Sequence, residues 1–382
     1  MAEGRQGDIR VNPVSQQFEL KGPKDEAPES SGKSFDVLLA GYYGFGNLGD
    51  ELLASGTIDF LTRAGIKRER IAILSKRPRE SSRVLGIEAF DRGLVTRSLN
   101  KALSASISLL IAGGGIFQDS TSVRSCFYYW ALVRKARRAS CRVAAISQSV
   151  GPLSSFLGKM MTHDALLKCA YLSVRDITSL ELTRTLGLEA DLCPDIVMAL
   201  DIPRLLPAED GDILVNVRPI KDARAARNLL KAASACAESG MRLKGIALSE
   251  EDKSEFERYF ASGVLPPCEV CLVKSSKDFI EASEGAFAAI GMRLHFGVLS
   301  LLRGLKLAMA PYDPKVTDFA RKWDALCPEF RDDDVNSDIM RLLTKSLFKD
   351  KKQPDHDKAA RALDDAFKKA LSLALGDVWM NE

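Results

Sequence analysis

From Phe35 onward, apolar runs of strand length alternate with amphipathic stretches of helix length, and this alternation constrains the fold more than any other feature. In the first half of the chain the runs are Phe35–Ala40, Arg70–Leu74, Ile107–Ala112, Arg142–Ile146 and Ala170–Val174. Helical stretches between them include Glu51–Ala64, Tyr128–Ala139 and Ser179–Thr185. A second series of runs follows at Asp212–Val217, Arg242–Ala247, Glu269–Val273, Ala286–Ile290 and Leu305–Ala310. The pattern is typical of parallel βαβ units.

The length of the chain indicates two domains, because single cores rarely grow beyond about 250–300 residues and this chain has 382. The alternation breaks at Asp201–Pro203 and Pro207–Gly211, which predicts a hinge. We therefore expect an α/β protein with two Rossmann-like domains, 34–205 and 206–347, that face a cleft. Residues 1–33 are predicted to be a disordered tail. Residues 348–382 are predicted to form a linker and a C-terminal helix. The linker is the charged loop Phe348–Lys358, and the helix begins at about Lys358.

Composition excludes several classes. The net charge of +3 gives no argument for nucleic acid. The eight cysteines are scattered, and only Cys268 and Cys271 have a CxxC spacing, so we expect free thiols and no zinc site. No apolar run approaches the ~20 residues of a membrane span. The first residues do not resemble a signal peptide, and the expected location is cytoplasmic.

The first candidate binding loop, Gly41–Glu51, directly follows a predicted strand. Its glycines let the backbone approach a ligand, and the helix that follows offers free N–H groups to an anion. The spacing fits neither the dinucleotide motif nor the P-loop. Gly44, Asn47, Gly49 and Asp50 are the candidate contacts. A ligand-free turn, with Asp50 only capping the helix, is the alternative.

The second candidate loop is Ala112–Asp119, again after a strand. Three glycines beside small hydroxyl residues indicate a phosphate or sugar site, with Gly114, Gly115, Gln118 and Asp119 as candidate contacts. A tight turn in the crossover is the alternative. A third loop, Gln148–Leu153, holds the same place after the next strand.

Candidate anion-binding arginines follow two other strands. Arg175 lies in Ser173–Asp176, and Arg218 ends the first strand of the second domain. Guanidinium groups suit bidentate recognition of carboxylate or phosphate. Both arginines are also open to the alternative of pairing with a local acid, Asp176 in the case of Arg175.

The segment Ile290–His295 carries the best catalytic candidate. His295 follows a strand and opens a helix, with Arg293 two residues before it and Lys315 at the end of the next strand. An imidazole there can act as a tunable proton donor and acceptor. The other histidines, His163 in a polar helix and His356 in the charged loop, are not candidates. A purely structural histidine is the alternative.

Taken together, these segments resemble the polysaccharide pyruvyl transferase family, especially its bacterial cell-surface-anchoring type. The matching stretches, in the family's order, are GYYGFGNLGDE, GGGIFQDSTSVRS, SQSVGPL, SVRD, NVRP, IGMRLH and YDPKV, from Gly41 to Val316. The histidine of the family's MRLH motif falls on His295, the lysine of its DPK motif on Lys315, and the arginine of its VRD motif on Arg175. Ser149 stands where the family usually has glycine.

The resemblance implies a GT-B-like fold, phosphoenolpyruvate as donor, and a lipid-linked saccharide containing N-acetylmannosamine as acceptor. The product would be a 4,6-linked pyruvate ketal, formed without cofactor or metal. Arg175 and Lys315 would hold the anionic donor, and His295 would do the acid–base work, with Asp50 and Asp119 as lesser candidates.

Two other functions remain open at this stage: a nucleotide-sugar glycosyltransferase on the same architecture, and a non-catalytic sugar-binding protein. The sequence also leaves open the acceptor sugar, the ketal stereochemistry, the oligomeric state, the role of the tail and a transient contact with a membrane surface.

Overall fold

The computed structural model describes residues 32–120, 122–205, 211–220, 223–327, 337, 339 and 355–376. Most of the predicted tail, the centre of the predicted hinge at 206–210, and residues 348–354 of the predicted linker lie outside the described residues.

The first half of the chain forms a seven-stranded parallel sheet. Its strands are β1 (Phe35–Ala40), β2 (Ile71–Ser75), β3 (Glu88–Asp91), β4 (Ser106–Ala112), β5 (Arg142–Gln148), β6 (Tyr171–Val174) and β7 (Asp191–Leu192), in the spatial order β3-β2-β1-β4-β5-β6-β7. Strands β1, β2 and β4 are buried along their whole length, as expected when helices cover both faces of a parallel sheet.

Six helices accompany this sheet. They are α1 (Leu48–Arg63), α2 (Pro78–Leu85), α3 (Arg97–Ser104), α4 (Arg124–Arg138), α5 (Phe156–Leu167) and α6 (Ile177–Thr185), with 3₁₀ turns at Arg68–Arg70 and Ile196–Ala199. Two predicted starts were late: α1 begins three residues before Glu51, and α4 begins one turn before Tyr128.

The second half forms a five-stranded parallel sheet. Its strands are β8 (Asp212–Val215), β9 (Leu243–Ala247), β10 (Glu269–Leu272), β11 (Ala286–Gly291) and β12 (Lys306–Met309), in the order β10-β9-β8-β11-β12. Its helices are α7 (Ala223–Glu238), α8 (Glu250–Ala261), α9 (Ser276–Ala282), α10 (Leu294–Leu302) and α11 (Pro314–Trp323).

The last helix, α12 (His356–Leu375), returns to the first sheet. It packs against β4, β5 and β6, and the ring of Phe367 stacks on Phe60 of α1 with centroids 4.8 Å apart. His356 is the first residue of this helix, capped by Asp355, so its prediction as part of a loop was wrong.

The carboxyl ends of both sheets meet at a crevice. Leu48 N at the start of α1 donates to Leu248 O just after β9, at 3.1 Å, and Thr178 on α6 donates from N and Oγ1 to Asp318 on α11. The strand order reverses between β1 and β4, and again between β8 and β11. Open α/β sheets bind ligands at such switch points, and both glycine loops and the His295 segment lie there.

Candidate active site

The first glycine loop is fixed by close packing. The backbone of Gly44 has φ +76°, and a methyl group on its Cα would lie 2.1 Å from Ser75 Oγ. Tyr43 is buried and donates its hydroxyl to Ala112 O at the end of β4. The structure thus gives Gly44 a packing role against the end of β2, and its ligand contact stays a prediction.

The loop also fits His295 of the opposite domain. A methyl group on Gly49 would lie 2.0 Å from His295 Nδ1, so only glycine leaves room for the imidazole. Asn47, not Asp50, occupies the N-cap position of α1, and its Nδ2 donates to Asp50 Oδ2. The reading of Asp50 as the helix cap is therefore corrected: its carboxyl group lies in the first turn, inside the crevice.

The carboxyl group of Asp50 is buried beside positive charge. Burial raises its pKa, an effect that the nearby His295, the hydrogen bond from Asn47 and the charge of Arg175 partly offset. A methyl group on Gly114 of the second glycine loop would lie 3.8 Å from Asp50 Oδ1. Gly114 itself has φ +90°, a conformation that favours glycine. The two loops therefore meet at this carboxyl group.

Behind His295 lies a buried ion pair between Arg175 and Asp195. Arg175 Nη1 donates to Asp195 Oδ2 at 2.5 Å, and both side chains are less than a tenth exposed. His295 Nε2 lies 3.5 Å from the same oxygen, which is too long for a good hydrogen bond. Burial alone would raise the pKa of Asp195, but the charges of Arg175 and His295 hold it well below its usual range.

Arg175 is held from its other side by Ser149. Its Nε donates to Ser149 Oγ at 2.8 Å, and that hydroxyl donates to Asp176 Oδ2 at 2.6 Å. Ser147, two residues before Ser149, has φ +55°, and the register of the β5–β6 pair shifts between Ala145 and Gln148, where the chain turns into this loop. The predicted alternative for Arg175, a local acid, is realised by Asp195, and Asp176 is reached only through Ser149.

Lys315 approaches the second glycine loop from the opposite domain. It follows Pro314 in the first turn of α11, whose cap is Asp313, and its Nζ lies 3.2 Å from Asp313 Oδ2. A methyl group on Gly115 would lie 3.5 Å from Nζ. The structure thus brings together Lys315, Gly115, Gly114, Asp50, Gly49, His295 and Arg175.

Two residues predicted from the second glycine loop have local roles instead. Both carboxylate oxygens of Asp119 accept from the backbone N–H and hydroxyl groups of Ser154 and Ser155 at the start of α5. Burial acts to raise the pKa of Asp119, but these hydrogen bonds lower it to about 2. Gln118 Oε1 accepts from Ser120 within a turn. The predicted ligand contacts of Gln118 and Asp119 stay predictions.

The two remaining arginines are bound within the second domain. Arg293 pairs with the fully buried Asp252 through Nε and Nη2, and Nη2 also donates to Ser249. Arg218 Nη1 donates to Tyr312 Oη at 3.0 Å. Arg293 therefore fixes the segment that carries His295, and its substrate contact stays a prediction.

A cavity of about 490 Å³ opens beside the Arg175–Asp195 pair. Its lining includes Arg175, Asp195, Leu294, Lys315, Phe319 and Trp323. Such a volume suits a small organic substrate. Within the described parts of the chain, no cluster of three or more His, Cys, Asp or Glu side chains could hold a metal ion. None of the described helices is long and apolar enough to cross a bilayer.

Comparison of the sequence with known families gives one match. The family described as polysaccharide pyruvyl transferase matches residues 47–306, well over half of the chain. This chain belongs to the polysaccharide pyruvyl transferase family. The family predicted from the sequence is confirmed, and the cell-surface-anchoring type stays a prediction. Among curated proteins, none matches the chain by sequence.

Solved structures show the same fold at low sequence identity. A UDP-N-acetylglucosamine 2-epimerase described as putative, from Listeria monocytogenes, has a TM-score of 0.58 and 10% identity over 88% of this chain and 94% of its own. MnaA of S. aureus, solved with UDP, gives 0.60 and 9% over 89% and 97%. The Neisseria meningitidis 2-epimerase bound to UDP-GlcNAc gives 0.54 and 9% over 91% and 100%. The predicted GT-B-like α/β fold is confirmed.

In this member of the polysaccharide pyruvyl transferase family, Asp195 is a site residue that was not predicted from the sequence. The residue follows Pro194 just after β7, a strand of two residues with no apolar run to announce it. Its Oδ1 also accepts a hydrogen bond from Val197 N, so Asp195 caps the 3₁₀ turn Ile196–Ala199. The sequence does show Pro194 and Asp195 directly before the apolar stretch Ile196–Ala199. An aspartate in that position is also typical of a helix N-cap, so the pattern alone does not indicate a site residue.

Proposed function

We propose that this chain transfers the pyruvyl group of phosphoenolpyruvate to two hydroxyl groups of one sugar, giving a cyclic pyruvate ketal and phosphate. The observation that carries the proposal is the grouping of His295, the Arg175–Asp195 pair and Lys315 where the two sheets face each other. Membership of the polysaccharide pyruvyl transferase family supports the reaction class.

The reaction sets clear demands on a site. A proton must reach the methylene carbon of phosphoenolpyruvate, so that the adjacent carbon becomes cationic and the first sugar hydroxyl attacks it with loss of its proton. Phosphate then leaves, and the second hydroxyl attacks the same carbon with loss of its own proton. The site must therefore hold two anionic groups, supply one acid and accept two protons. The balance requires no further cofactor, and we propose none.

We assign the acid–base role to His295. Its Nε2 is buried and has no hydrogen-bond partner among the described residues, which is uncommon for a buried polar atom, and we propose that a substrate oxygen supplies the partner. Asp195 Oδ2 lies 3.5 Å from this nitrogen, which places the Nε2 edge of the ring beside the Arg175–Asp195 pair. Asp50 is the second candidate acid, since burial raises the pKa of its carboxyl group.

We assign donor binding chiefly to Lys315. Its ammonium group lies against Gly115, where the backbone can approach a phosphate or carboxylate. Helices α1 and α11 both begin at the crevice and direct the positive ends of their dipoles towards an anion there. Both cations have an acid beside them: Asp195 pairs with the buried Arg175, and Asp313 Oδ2 lies 3.2 Å from Lys315 Nζ. Lys315 is the more exposed of the two side chains, at 28% against 5%, and so is the more accessible to a ligand.

The acceptor that we propose follows the resemblance to the cell-surface-anchoring type. It is a lipid-linked precursor that contains N-acetylmannosamine, and the product is its 4,6-pyruvate ketal. A protein of this function would work on the cytoplasmic side, where phosphoenolpyruvate is made.

Acceptor-dependent release of phosphate from phosphoenolpyruvate tests the proposal. The wild-type protein should release phosphate only with a saccharide acceptor, and His295→Ala should reduce turnover by about 10²–10⁴ while its thermal unfolding stays near that of the wild type. Release of a nucleoside diphosphate from a nucleotide sugar would support a glycosyltransferase instead. Binding of saccharides without any turnover would support a sugar-binding protein.

A further inference from the structure

An exposed apolar surface lies on the N-terminal turns of α4 and α5. Its members are all large apolar side chains, and their exposed fractions are 79% for Phe156, 54% for Leu157, 49% for Phe127, 46% for Met160 and 36% for Val123. We call this set the α4–α5 patch. Single exposed apolar residues are common on soluble proteins, but a cluster of five on two adjacent turns marks an interaction surface.

The two helices bring these side chains to one face. Trp130 Nε1 on α4 donates to Asp164 Oδ2 on α5 at 2.7 Å, so the helices run side by side. Phe127 lies one turn before Trp130, with ring centroids 5.8 Å apart. Leu157 and Met160 lie seven and four residues before Asp164, on the same side of α5. The apolar stripes of the two helices are therefore neighbours.

Two exposed basic residues lie within the α4–α5 patch itself. Helix α4 contains five basic residues and no acidic one, but four of the five lie among its last five residues, at the other end of the helix from the patch. The carboxylate of Asp119 lies against the first turn of α5, where Ser154 and Ser155 bind both of its oxygens. Arg124 and Lys159 lie exposed within the patch and have no ionic partner among the residues that the structure describes. The only acid on the two helices, Asp164, is already bound by Trp130, Arg134 and Lys168.

The patch also lies at the same end of the sheet as the crevice. In a parallel sheet the helix after a strand begins at the carboxyl end of that strand. The loop with Gly115 leads directly into Val123, and the loop with Ser149 leads into Phe156. Bonds from Ser154 and Ser155 to Asp119 join the two loops.

From these observations we infer that the α4–α5 patch docks on an anionic lipid bilayer. Apolar side chains enter the boundary between headgroups and acyl chains, and the basic residues around them face the anionic headgroups. This binding is independent of the reaction. Its use in presenting the crevice to a lipid-linked acceptor rests on the proposed function.

Sedimentation with vesicles of phosphatidylglycerol and phosphatidylcholine in equal parts tests the inference. The wild-type protein should bind these vesicles more tightly than pure phosphatidylcholine. The double variant Phe156→Ser with Leu157→Ser should lower the partition coefficient by at least about tenfold. The matched control, Val84→Ser with Val95→Ser, removes two apolar residues that are also exposed, at 72% and 94%, but lie outside the patch, and it should bind as the wild type does.

A second pair of variants tests the charge. Arg124→Ser with Lys159→Ser should weaken binding to the anionic vesicles about tenfold or more and leave binding to neutral vesicles unchanged. Arg79→Ser with Arg83→Ser removes two exposed basic residues of α2 and should have no such effect.

Three outcomes would overturn the inference. One is wild-type protein that shows no preference for anionic vesicles, and another is full binding by the Phe156–Leu157 variant. The third is a wild-type protein that sediments as a dimer while the Phe156–Leu157 variant sediments as a monomer, because the patch would then be a protein–protein interface. His295→Ala should bind vesicles normally, so a failure of the proposed reaction leaves this test intact.

Discussion

Replacement of Gly49 by alanine should disable the site without unfolding the protein. The new methyl group would lie 2.0 Å from His295 Nδ1, whereas non-bonded atoms of this kind rest about 3.5 Å apart. The imidazole, or the start of α1, must therefore move by about 1.5 Å. A misplacement of about 1 Å can reduce turnover about 10²-fold, so we expect at least that loss.

The same substitution should cost little folding stability. Gly49 lies in the first turn of α1, and alanine is favoured over glycine inside a helix by up to about 1 kcal/mol. That gain opposes the strain of the contact. The loss of turnover would then appear together with a melting temperature close to that of the wild type.

A double-mutant cycle with His295→Ala separates this contact from any general effect on α1. Turnover is measured as phosphate released from phosphoenolpyruvate in the presence of the acceptor. His295→Ala removes the imidazole, which supplies the three closest contacts of a methyl group on residue 49, so Gly49→Ala should not lower the residual activity of His295→Ala further. Turnover of the single Gly49→Ala variant within a few fold of the wild type would refute the reasoning.

Three further predictions follow from the site and its surroundings. Lys315→Ala should weaken binding of phosphoenolpyruvate about 10–100-fold, measured by calorimetry, with Lys315→Arg as the charge-retaining control; an unchanged affinity would count against the assignment. Asp195→Asn leaves the buried Arg175 charge unpaired and should lower the free energy of unfolding by about 3–5 kcal/mol. The pKa of Asp195 is held well below its usual range in the folded protein. The ionised carboxylate therefore stabilises the fold fully at pH values above its pKa in the unfolded chain, about 3.9, and this stabilisation is lost only as pH falls towards the lower pKa of the folded state. The stability difference from the wild type should therefore persist throughout the range from about pH 5 to pH 8 in urea titrations, and its disappearance within this range would contradict the ion pair. Asp119→Ala should lower stability by about 1 kcal/mol with unchanged turnover, since this carboxylate bonds only to the start of α5 in the described structure; a large loss of turnover would return Asp119 to the site.

The architecture and the motif-bearing loops could be predicted because they depend on local patterns. Buried parallel strands appear as continuous apolar runs, and loops at their carboxyl ends stand out by their glycines. Strands β3 and β7 were missed because each is a short edge strand with few buried residues: β3 has only Phe90, and both residues of β7 are exposed. A strand with one open edge needs no long apolar run, so its sequence carries little signal.

The connections within the site could not be predicted because they join distant parts of the chain. Position 49 requires glycine because the imidazole of His295 packs against it, and His295 follows β11 of the second sheet. The charge of Arg175 predicted an anion-binding residue. Its ion pair with Asp195 could not be predicted, because Asp195 lies in the loop after β7 and only the fold brings that loop close to Arg175. In the same way, the hydrogen bonds from Ser154 and Ser155 to both oxygens of Asp119 join two loops that are distant in the sequence.

The most direct test of the central claim is mass spectrometry of the product formed in D₂O. The protein is incubated with phosphoenolpyruvate and a lipid-linked disaccharide that contains N-acetylmannosamine. We predict that the acceptor gains the mass of one pyruvate less one water, with at least one deuterium in the new methyl group, and that His295→Ala forms this product far more slowly. An acceptor of unchanged mass, or a ketal whose methyl group carries no deuterium, would contradict protonation of phosphoenolpyruvate at this site.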